Sequence, residues 1–550
     1  MKRFSIFICA IMAVITLWAQ KKDHNFEVGK NLDLFNQVYK QLDLMYVDTL
    51  NAGEVIGYGI NGMLRSLDPY TVFYPEENAE ELKQMITGKY AGIGALVRYH
   101  RQLKRVVIDE PYKNMPAAEV GLKKGDIILS IDGKDMTDKN TNEVSSNLRG
   151  DAGTTFLLKV MRPSINKELQ FKVTRRSIKL PELPYYGMVG GNIGYINLNG
   201  FPEDCAKDMR MAFLDLKKRG ANKLVLDLRN NGGGSLSEAV DIINLWVSQG
   251  QTIVETKGKL PQAYRQYSTR LEPVDTIMPI VVLVNGETAS ASEITCGAIQ
   301  DLDRGVVLGT RTYGKGLVQT PIDLPYNANL KLTTSKYYIP SGRCIQAINY
   351  KRSGGGGYKE RVPDSLTHVF KTRAGREVRD GGGIKPDVEI KPDTVPNIVI
   401  YLDQIDSLEV TFDWVVDYIS KHPTIVSPRE FELSDADYED YKQRVVDSGF
   451  TYDPISGDMI EKLESALKFE GYYEDTKEEF AALKKKLKHN VAQDLEYHKD
   501  EIKRMLEQDI IMAYYYNAGV IESTLKYDKE ILEAVKILND EKRYRELLQP

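Results

Sequence analysis

The sequence predicts an α/β core that is preceded by a small β-rich domain and flanked by helical regions at both ends. From residue 191 onward, apolar runs of strand length alternate with amphipathic stretches of helical length, which is typical of an α/β domain. These strands and helices are predicted at 193–198, 204–218, 223–228, 236–247 and 280–284. Shorter strands with turn signals between them occupy residues 86 to 176. Apolar residues at helical spacing run through residues 26 to 67 and return from 435 to the C-terminus.

Length and composition indicate several soluble domains. A chain of 550 residues is too long for one core, and 42% hydrophobic with 27% charged residues is typical of globular proteins. The formal net charge of −5 implies no basic face, so nucleic acid is not an expected partner. The helical region from 401 to 550 shows no recognisable chemistry, and we expect it to be an appendage whose charges face solvent.

The first 19 residues have the pattern of a signal peptide. Lys2 and Arg3 supply the positive start, and an apolar run from 4 to 18 follows, before a polar stretch. This pattern predicts an exported protein, periplasmic or secreted, whose mature chain begins near residue 20. Leu17 is larger than the residue usually found at that place before a cleavage site, so an uncleaved N-terminal anchor is the alternative.

Three cysteines remain after the first 19 residues: Cys205, Cys296 and Cys344. They form no Cys-x-x-Cys pair, and no group of cysteines and histidines has the spacing of zinc ligands. We therefore expect these cysteines to be small buried hydrophobic side chains, and we expect neither a metal nor an organic cofactor.

The stretch from Val284 to Asp301 contains the candidate nucleophile. A buried strand is predicted to end near Val284, and a helix is predicted to begin near Ser290, in the run Thr-Ala-Ser-Ala-Ser-Glu. The first N–H groups of a helix lack acceptors and carry positive partial charge, so a serine there lies beside donors for an oxyanion. Ser290 and Ser292 are both candidates. A serine at a helix start is more often a cap, so this run alone does not establish catalysis.

A serine nucleophile needs a base, and the best candidate is Lys315. Of six histidines, only His368 lies between residues 177 and 405, and it lies outside these motifs. Gly314 and Gly316 flank the lysine and allow its backbone to approach another element closely. A lysine base must be neutral, and lowering its pKa from about 10.4 to about 7.5 costs about 4 kcal/mol, mostly through burial. If 315–319 is extended, Gln319 points to the same face and can orient the amine.

These motifs resemble the C-terminal processing (tail-specific) peptidases, a serine peptidase family with a Ser-Lys-Gln site. The family's run Ser-Ala-Ser-Ala-Ser-Glu occurs here with Thr288 in its first position, and Phe-Gly-Lys-Gly-x-Val-Gln occurs with Tyr313 for the phenylalanine. The resemblance assigns three catalytic residues: Ser290 as nucleophile, Lys315 as base and Gln319 as the orienting group. It also implies that Ser292 helps to start the helix.

A third motif extends the resemblance, which covers roughly residues 30 to 395. The stretch from Lys223 to Gly234 is similar to the family's strand followed by Leu-Arg-x-Asn-Pro-Gly-Gly, with Gly232 in the place of the proline. A phosphate-binding loop is excluded because the required Gly-Lys-Ser/Thr is missing. By resemblance, the N–H groups of Gly233 and Ala291 form the oxyanion hole.

Two further stretches, 90–94 and 125–133, look like parts of a PDZ domain, in which a strand edge pairs with an extended peptide. The resemblance implies that the N–H groups of Gly92, Ile93 and Gly94 hold a substrate's terminal carboxylate. Its last side chains would pack on Ile93 and Val144. Arg149 would link peptide occupancy to the active site, with a solvated turn residue as the alternative.

The resemblance completes the predicted fold, a crotonase-like α/β peptidase core with a preceding PDZ domain and helical N- and C-terminal regions. The predicted segments are a signal peptide at 1–19, a helical region at 20–85, a PDZ domain at 86–176, the core at 177–400 and a helical region at 401–550. No role is predicted for that last region.

The predicted function is an exported serine endopeptidase that captures protein C-termini and cleaves peptide bonds through an acyl-enzyme. The alternative is a catalytically inactive PDZ-containing binding or scaffold protein of the envelope, and the presence of all three catalytic residues argues against it. A Ser-Lys peptidase of the signal-peptide-degrading kind would lack the PDZ motifs. Expected partners are proteins or peptides with accessible C-termini, with a homodimer and an adaptor protein as further candidates.

Overall fold

The structure, a computed structural model, describes residues 2–78, 89–179, 182–348, 350, 362–391, 393–452, 455–487 and 490–550. Contacts between Cα atoms divide the chain into two units. The first comprises Met1–Pro75, Pro321–Leu332 and Tyr350–Tyr358, and the second comprises Glu76–Thr320, Thr333–Asn349 and Lys359–Pro550. The glycine run at 354–357 lies outside the described residues.

The described residues of the first unit include two helices and a short strand. These are α1 (Lys2–Met45), α2 (Ala52–Arg65) and β1 (Val72–Tyr74), which pairs antiparallel with residues 329–331. Helix α2 begins at the cap residue Asn51, whose side-chain oxygen accepts the N–H of Glu54. The predicted signal peptide falls on the backbone of α1. Among the helices that the structure describes, none combines the length and apolar character needed to cross a membrane.

The second unit begins with a β-rich domain. Its elements are β2 (Lys89–Gly92), β3 (Ala95–His100), β4 (Arg105–Pro111), α3 (Pro116–Glu119), β5 (Ile127–Ile131), β6 (Lys134–Asp135), α4 (Thr141–Leu148), β7 (Thr155–Arg162), β8 (Lys167–Thr174) and β9 (Arg176–Lys179). An antiparallel sheet has the order β3-β4-β5-β7-β8, and β2 pairs separately with β9. The short strands predicted for residues 86 to 176 are confirmed. Helix α4 begins with a capping box, in which Asn140 and Glu143 bond each other's backbone N–H.

A six-stranded, mostly parallel sheet forms the core of the second unit. Its strands are β10 (Tyr185–Met188), β11 (Ile193–Asn197), β12 (Lys223–Asp227), β15 (Ile280–Val284), β16 (Val306–Gly309) and β21 (Val388–Glu389), in that order. Only β10 is antiparallel to its neighbour. Every residue of β11, β15 and β16 is buried, as expected for a parallel sheet that is covered on both faces.

Three helices cover one face of this sheet: α5 (Cys205–Lys218), α6 (Leu236–Ile243) and α7 (Ala291–Asp301). Helix α6 ends four residues earlier than predicted. Its cap residue Asn244 uses its side chain to bond the backbone of residues 270–271 and of Val247, which draws the chain out of the helix. Cys205 and Cys296 are free and buried on these helices, as predicted, whereas Cys344 is free and half-buried.

The remaining strands are β13 (Thr252–Gly258), β14 (Arg265–Ser268), β17 (Leu317–Asp323), β18 (Asn329–Tyr338), β19 (Val369–Lys371) and β20 (Glu377–Arg379). In the second unit β13 pairs antiparallel with β14 and with residues 335–338 of β18. Strands β19 and β20 form a hairpin.

The C-terminal region is helical, as predicted. Its helices are α8 (Asn397–Ile400), α9 (Val410–Lys421), α10 (Asp435–Asp447), α11 (Ile455–Glu470), α12 (Lys477–Lys486), α13 (Val491–Tyr497), α14 (Lys499–Thr524), α15 (Lys529–Asn539) and α16 (Glu541–Leu547). A short π-helical turn, Tyr401–Ile405, follows α8 directly.

The expectation that this region is an appendage is wrong, because α15 covers the second face of the core sheet. Buried Ile531 and Ile537 pack in one apolar cluster with Val225, Val281 and Leu283 of the central strands. A parallel sheet that is apolar on both faces needs a second helical layer, and the C-terminal region supplies it.

The same region also holds the β-rich domain. Phe412 and Val416 of α9 pack on Val107 and on neighbouring apolar side chains of β4 and β5. Polar contacts surround this patch, including an ion pair of Arg98 with Glu409 and a hydrogen bond between His100 Nε2 and Asp413 Oδ1 at 3.1 Å. Several charges of the C-terminal region therefore lie in interfaces and do not simply face solvent.

Candidate active site

Ser290 lies at a sharp turn between a buried strand and a buried helix. Strand β15 ends at Val284, and Ser290 is the cap residue in front of α7, all of whose residues are buried. Its backbone has φ 58° and ψ −116°, a conformation that residues other than glycine rarely adopt. Strain of this kind persists only where the surroundings enforce it, and a strained turn from strand to helix is how several hydrolases expose a nucleophilic serine.

Lys315 lies in the segment just before β17, and its flanking glycines are required by close packing. A Cβ at Gly314 would lie 2.3 Å from Ala347 Cβ, and one at Gly316 would lie 2.8 Å from the backbone nitrogen of Gln346. The prediction that these glycines permit a close backbone approach is therefore confirmed. Lys315 itself is half-buried.

The buried carboxylate of Glu293 joins the turn that precedes α7 at Ser290 (the serine turn) to the segment that contains Lys315. It is 0% exposed, and its Oε2 accepts the backbone N–H of Ser290 at 2.9 Å and that of Lys315 at 2.8 Å. Its Oε1 accepts the N–H of Gly314 and the hydroxyl of Thr312. Burial raises the pKa of the Glu293 carboxyl, and these donors oppose the rise. One side chain thus fixes the backbone on both sides of the site.

Tyr337 provides a second link between the same two residues. Its hydroxyl lies 2.7 Å from the carbonyl oxygen of Lys315 and 3.2 Å from that of Ser290, and the side chain is buried. Glu293 therefore accepts both N–H groups, whereas the single hydroxyl proton of Tyr337 is shared between the two carbonyls, with the shorter contact to Lys315. The structure brings Ser290 and Lys315 together through these contacts.

The glycine turn, residues 229–234 after β12, lies directly against Ser290, the candidate nucleophile. A Cβ at Gly233 would lie 2.8 Å from both Ser290 Cβ and the nitrogen of Ala291, and the residue has φ 95°, so only glycine fits there. The N–H of Ala291 is at the first position of α7, where no acceptor exists within a helix. The N–H of Gly233, by contrast, donates to Asn231 Oδ1 at 2.9 Å. The turn is therefore adjacent to Ser290, but the predicted oxyanion donor that it contributes, the N–H of Gly233, points to a side chain.

Gln319 and Ser292 occupy different surroundings. Gln319 lies on β17, and its amide nitrogen donates to Thr333 Oγ1 at 3.2 Å. The extended conformation predicted for 315–319 begins only at Leu317. Ser292 is fully buried, and its hydroxyl donates to the carbonyl of Asn231 at 2.9 Å, so it ties the helix to the glycine turn.

The predicted carboxylate loop lies between β2 and β3. Gly92 ends β2, and the carbonyls of Ile93 and Gly94 accept the N–H groups of Ala117 and Tyr112. Ile93 and Val144 belong to the buried apolar core of this domain, at 3% and 0% exposure. Their predicted contact with the last side chains of a substrate remains a prediction.

Arg149 lies beside this loop and is not only a solvated turn residue. Its guanidinium carbon is 5.1 Å from the ring centre of Tyr90, and its Cγ is 3.7 Å from the place of a Cβ on Gly92. The side chain remains exposed. The structure thus places the one predicted cation of this site next to the predicted carboxylate loop.

Sequence reasoning missed Glu293 and Tyr337. The glutamate was visible at the end of the Ser-Ala-Ser-Glu run, although it received no role. Nothing in the sequence around Tyr337 indicated a contact with residues so far away along the chain.

Comparisons with known proteins agree with these motifs. The profile of Peptidase family S41 matches residues 192–352, a PDZ domain profile matches 107–162, and that of "Probable PDZ-protease, C-terminal helical domain" matches 401–538. A "Carboxy-terminal-processing protease" of Bartonella bacilliformis is 37% identical over 349 residues, which cover 62% of this chain and 79% of that protein. A "Probable CtpA-like serine protease" of Staphylococcus aureus is 33% identical over 323 residues, covering 58% of this chain and 64% of that protein.

Among solved structures, the photosystem II D1 C-terminal processing protease matches with a TM-score of 0.36 and 26% identity, over 65% of this chain and 87% of that one. A peptide-bound PDZ domain of a carboxy-terminal protease from Vibrio cholerae matches 17% of this chain and 99% of its own, with a TM-score of 0.16 and 23% identity. The sequence relationships, above all the one with the Bartonella protein, establish the family. The chain belongs to peptidase family S41 and is a PDZ-containing serine protease of the carboxy-terminal-processing kind.

Proposed function

We propose that the protein hydrolyses peptide bonds with Ser290 as nucleophile and Lys315 as base, and that Gln319 orients the lysine amine. The observation that supports this assignment best is the double link between Ser290 and Lys315, through the carboxylate of Glu293 and the hydroxyl of Tyr337. Such a framework fixes the two residues before substrate arrives, which is what a nucleophile and its base require.

The chemistry follows that of acyl transfer by a serine–lysine pair. Ser290 Oγ attacks the carbonyl carbon of the scissile bond while its proton passes to Lys315 Nζ. The tetrahedral intermediate collapses, the C–N bond breaks, and the leaving amine takes the proton from the lysine. Water then attacks the carbonyl carbon of the acyl-enzyme while its proton passes to Lys315 Nζ. The second tetrahedral intermediate collapses, the bond between the acyl carbon and Ser290 Oγ breaks, and Ser290 Oγ takes the proton back from Lys315 as the carboxylic acid product leaves.

The oxyanion of both tetrahedral intermediates needs donors at the helix start. We assign the N–H groups of Ala291 and Gly233 to it. Gly233 donates to Asn231 Oδ1 in the present arrangement. Binding of an oxyanion would therefore replace this neutral side-chain acceptor by a charged one, which forms the stronger hydrogen bond.

Trapping of the acyl-enzyme tests the assignment of the nucleophile. The enzyme is mixed with a peptide ester, quenched in acid within its first turnover, and digested for mass spectrometry. We expect the acyl group on the peptide that contains Ser290, and no such adduct in Ser290→Ala. An acyl group on another residue would contradict the assignment.

For substrate selection, we propose that the PDZ domain captures free C-termini through the N–H groups of Gly92, Ile93 and Gly94, aided by Arg149. The guanidinium beside this loop supports the proposal, because it adds a positive charge where the terminal carboxylate would bind. A peptide with a free apolar C-terminus should be cleaved faster than its amidated form. Arg149→Met should reduce this preference, whereas Arg101→Met, which replaces an exposed arginine of the same domain, should not. Equal cleavage of both peptides by the wild type would contradict carboxylate capture.

We propose further that the protein is exported and acts in the periplasm or outside the cell. The N-terminal pattern of a positive start and an apolar run supports this. N-terminal sequencing of protein from the envelope fraction should give a chain that begins near residue 20. Intact residues 1–19 on a membrane-bound form would indicate an anchor instead.

A further inference from the structure

Arg229 connects the C-terminal helical region to the strand that carries the glycine turn. Its Nε and Nη2 bind the carboxylate of Asp227 at 2.6 to 3.1 Å, in a bidentate pair at the end of β12. Its Nη1 binds Asp528 Oδ2 at 2.8 Å and also the carboxylate of Glu530, both from the C-terminal region. One guanidinium thus joins two parts of the chain that are remote in sequence.

This ion cluster is well shielded from water. The side chain of Arg229 is 16% exposed, and those of its three carboxylate partners range from 4% to 19%. Attraction in such surroundings is stronger than at a surface, and removing one partner leaves charge without compensation. Asp528 also caps α15, since its Oδ1 accepts the N–H groups of Glu530 and Ile531. The start of α15 is therefore fixed to Arg229.

The residue after Arg229 joins the glycine turn to the serine turn. The backbone N–H of Asn230 donates to Asn285 Oδ1 at 3.0 Å, and the amide of Asn285 donates back to Asn230 Oδ1 at 2.8 Å. Asn285 directly follows β15, on the path to Ser290, and its own N–H donates to Thr288 Oγ1. If Arg229 moved, its neighbour Asn230 would move with it. The reciprocal hydrogen bonds between Asn230 and Asn285 would then displace both the glycine turn and the serine turn.

We propose that Arg229 is a positioning residue of the active site, and that Asp528 and Glu530 of the C-terminal region hold it in place. This inference rests on the proposed function of Ser290 and of the glycine turn. It gives the C-terminal helical region a catalytic purpose beyond covering the sheet. Without its carboxylates, the turn that carries Gly233 would lose its fixed position against Ser290.

The effect should appear in kcat. The turn supplies an oxyanion donor, which interacts more strongly with the transition state than with bound substrate. The double variant Asp528→Asn/Glu530→Gln keeps the size of both side chains and keeps a capping residue for α15, because asparagine is also a good cap. We expect kcat to fall about 10- to 100-fold and KM to stay within about twofold.

A double-mutant cycle tests whether the carboxylates act through Arg229. Arg229→Met alone should lower kcat by a similar factor, and adding the two C-terminal substitutions to it should cause little further loss. If the losses in kcat of Arg229→Met and of Asp528→Asn/Glu530→Gln multiplied in the combined variant, the substitutions would act independently. That result would overturn the inference. A change in KM with kcat intact would overturn it as well.

Arg429 offers a matched control, because it also ties the C-terminal region to the core. It pairs with Glu522 at 2.9 Å and donates to the hydroxyl of Tyr185 and the carbonyl of Met188, at β10. Arg429→Met should leave kcat unchanged. Equal losses in this variant would indicate a general destabilisation of the interface, contrary to the inference.

Amide hydrogen exchange gives a readout that does not depend on activity. Residues 229–234 should exchange faster in Asp528→Asn/Glu530→Gln than in the wild type, and at wild-type rate in Arg429→Met. If the wild type showed no turnover that depends on Ser290, the proposed function would be wrong. The exchange rates of residues 229–234 would still show whether Asp528 and Glu530 hold the glycine turn in place. Unchanged exchange in the turn together with a normal kcat in Asp528→Asn/Glu530→Gln would refute this inference and leave the proposed function unaffected.

Discussion

Ser290 and Lys315 donate their backbone N–H groups to the same oxygen of the buried Glu293 carboxylate, at 2.9 and 2.8 Å. The positive φ of Ser290 is thereby compensated by a charge-assisted hydrogen bond that no neutral side chain provides equally well. The geometry of the site depends on this carboxylate, although it contributes no atom to the proposed chemistry.

Glu293→Gln should damage both stability and catalysis. The amide keeps one acceptor oxygen but presents an N–H₂ group at the other position, so at least one of the backbone N–H groups that now donate to Glu293 loses its acceptor. We expect a loss of about 2 to 4 kcal/mol in the free energy of unfolding and a fall in kcat of at least about tenfold. Urea unfolding and steady-state kinetics measure the two effects. Glu287→Gln, an exposed change in the same turn, should alter neither quantity.

Tyr337→Phe removes the hydroxyl that joins the carbonyls of Ser290 and Lys315. The ring stays in place, so we expect a loss of about 1 kcal/mol in stability, with kcat reduced more than KM is changed. Kinetics with an unstructured protein substrate would show this division. Tyr338→Phe, at the neighbouring and less buried position, serves as the control. Wild-type kcat in Tyr337→Phe would show that this link is not needed.

The two adjacent glycines of the turn should respond in opposite ways to alanine. A Cβ at Gly232 meets nothing within 4 Å, and the residue has no positive φ, so Gly232→Ala should be neutral or stabilise by up to about 1 kcal/mol. A Cβ at Gly233 would lie 2.7 Å from the carbonyl oxygen of Ala289. Gly233→Ala should therefore lower kcat about 100-fold or more. Similar kinetics of the two variants would contradict the described turn.

The role of Gly232 also shows what the sequence could and could not reveal. Gly232 replaces the family's proline, and a glycine there gives the backbone of the turn more freedom than a proline would. Hydrogen bonds from Asn230, Asn231 and Ser292 nevertheless hold the segment. The strands β11, β12 and β15 were predictable because long apolar runs indicate buried parallel strands. The candidate catalytic residues could be identified because each lies in a short motif that is contiguous in sequence.

Contacts between distant segments could not be predicted in this way. The apolar face of α15 shows that this helix packs on something, but periodicity does not say on which surface. Only the fold reveals that it covers the core sheet. For the same reason, the ion cluster of Arg229 with Asp528 and Glu530 left no signal in any single stretch of sequence.

The interface between the PDZ domain and the C-terminal region should weaken as pH rises. Burial, together with repulsion from Asp109, raises the pKa of Glu110 to about 7, although Lys124 and the N–H of Asn517 oppose the rise. Because the folded pKa exceeds the ordinary value of 4.5, the folded state binds more protons between about pH 4.5 and 7. The contribution of Glu110 to stability is therefore present below that range and is lost as pH rises through it.

Urea unfolding between pH 5 and 8 tests this prediction. The midpoint of the wild type should fall toward pH 7, and the fall should be smaller in Glu110→Gln, which cannot ionise. Glu119→Gln removes an exposed carboxylate of the same domain and should keep the wild-type slope. Identical slopes in wild type and Glu110→Gln would contradict the assignment.

Turnover of an unstructured protein substrate by Ser290→Ala, Lys315→Ala and Ser292→Ala is the measurement that tests the central claim most directly. Ser290→Ala and Lys315→Ala should each lower kcat by at least about 10⁴-fold while remaining folded, because each removes a reacting group. Ser292→Ala should lose one buried hydrogen bond, worth about 1 kcal/mol, and retain most activity. Activity near the wild-type rate in Ser290→Ala or in Lys315→Ala would contradict the account.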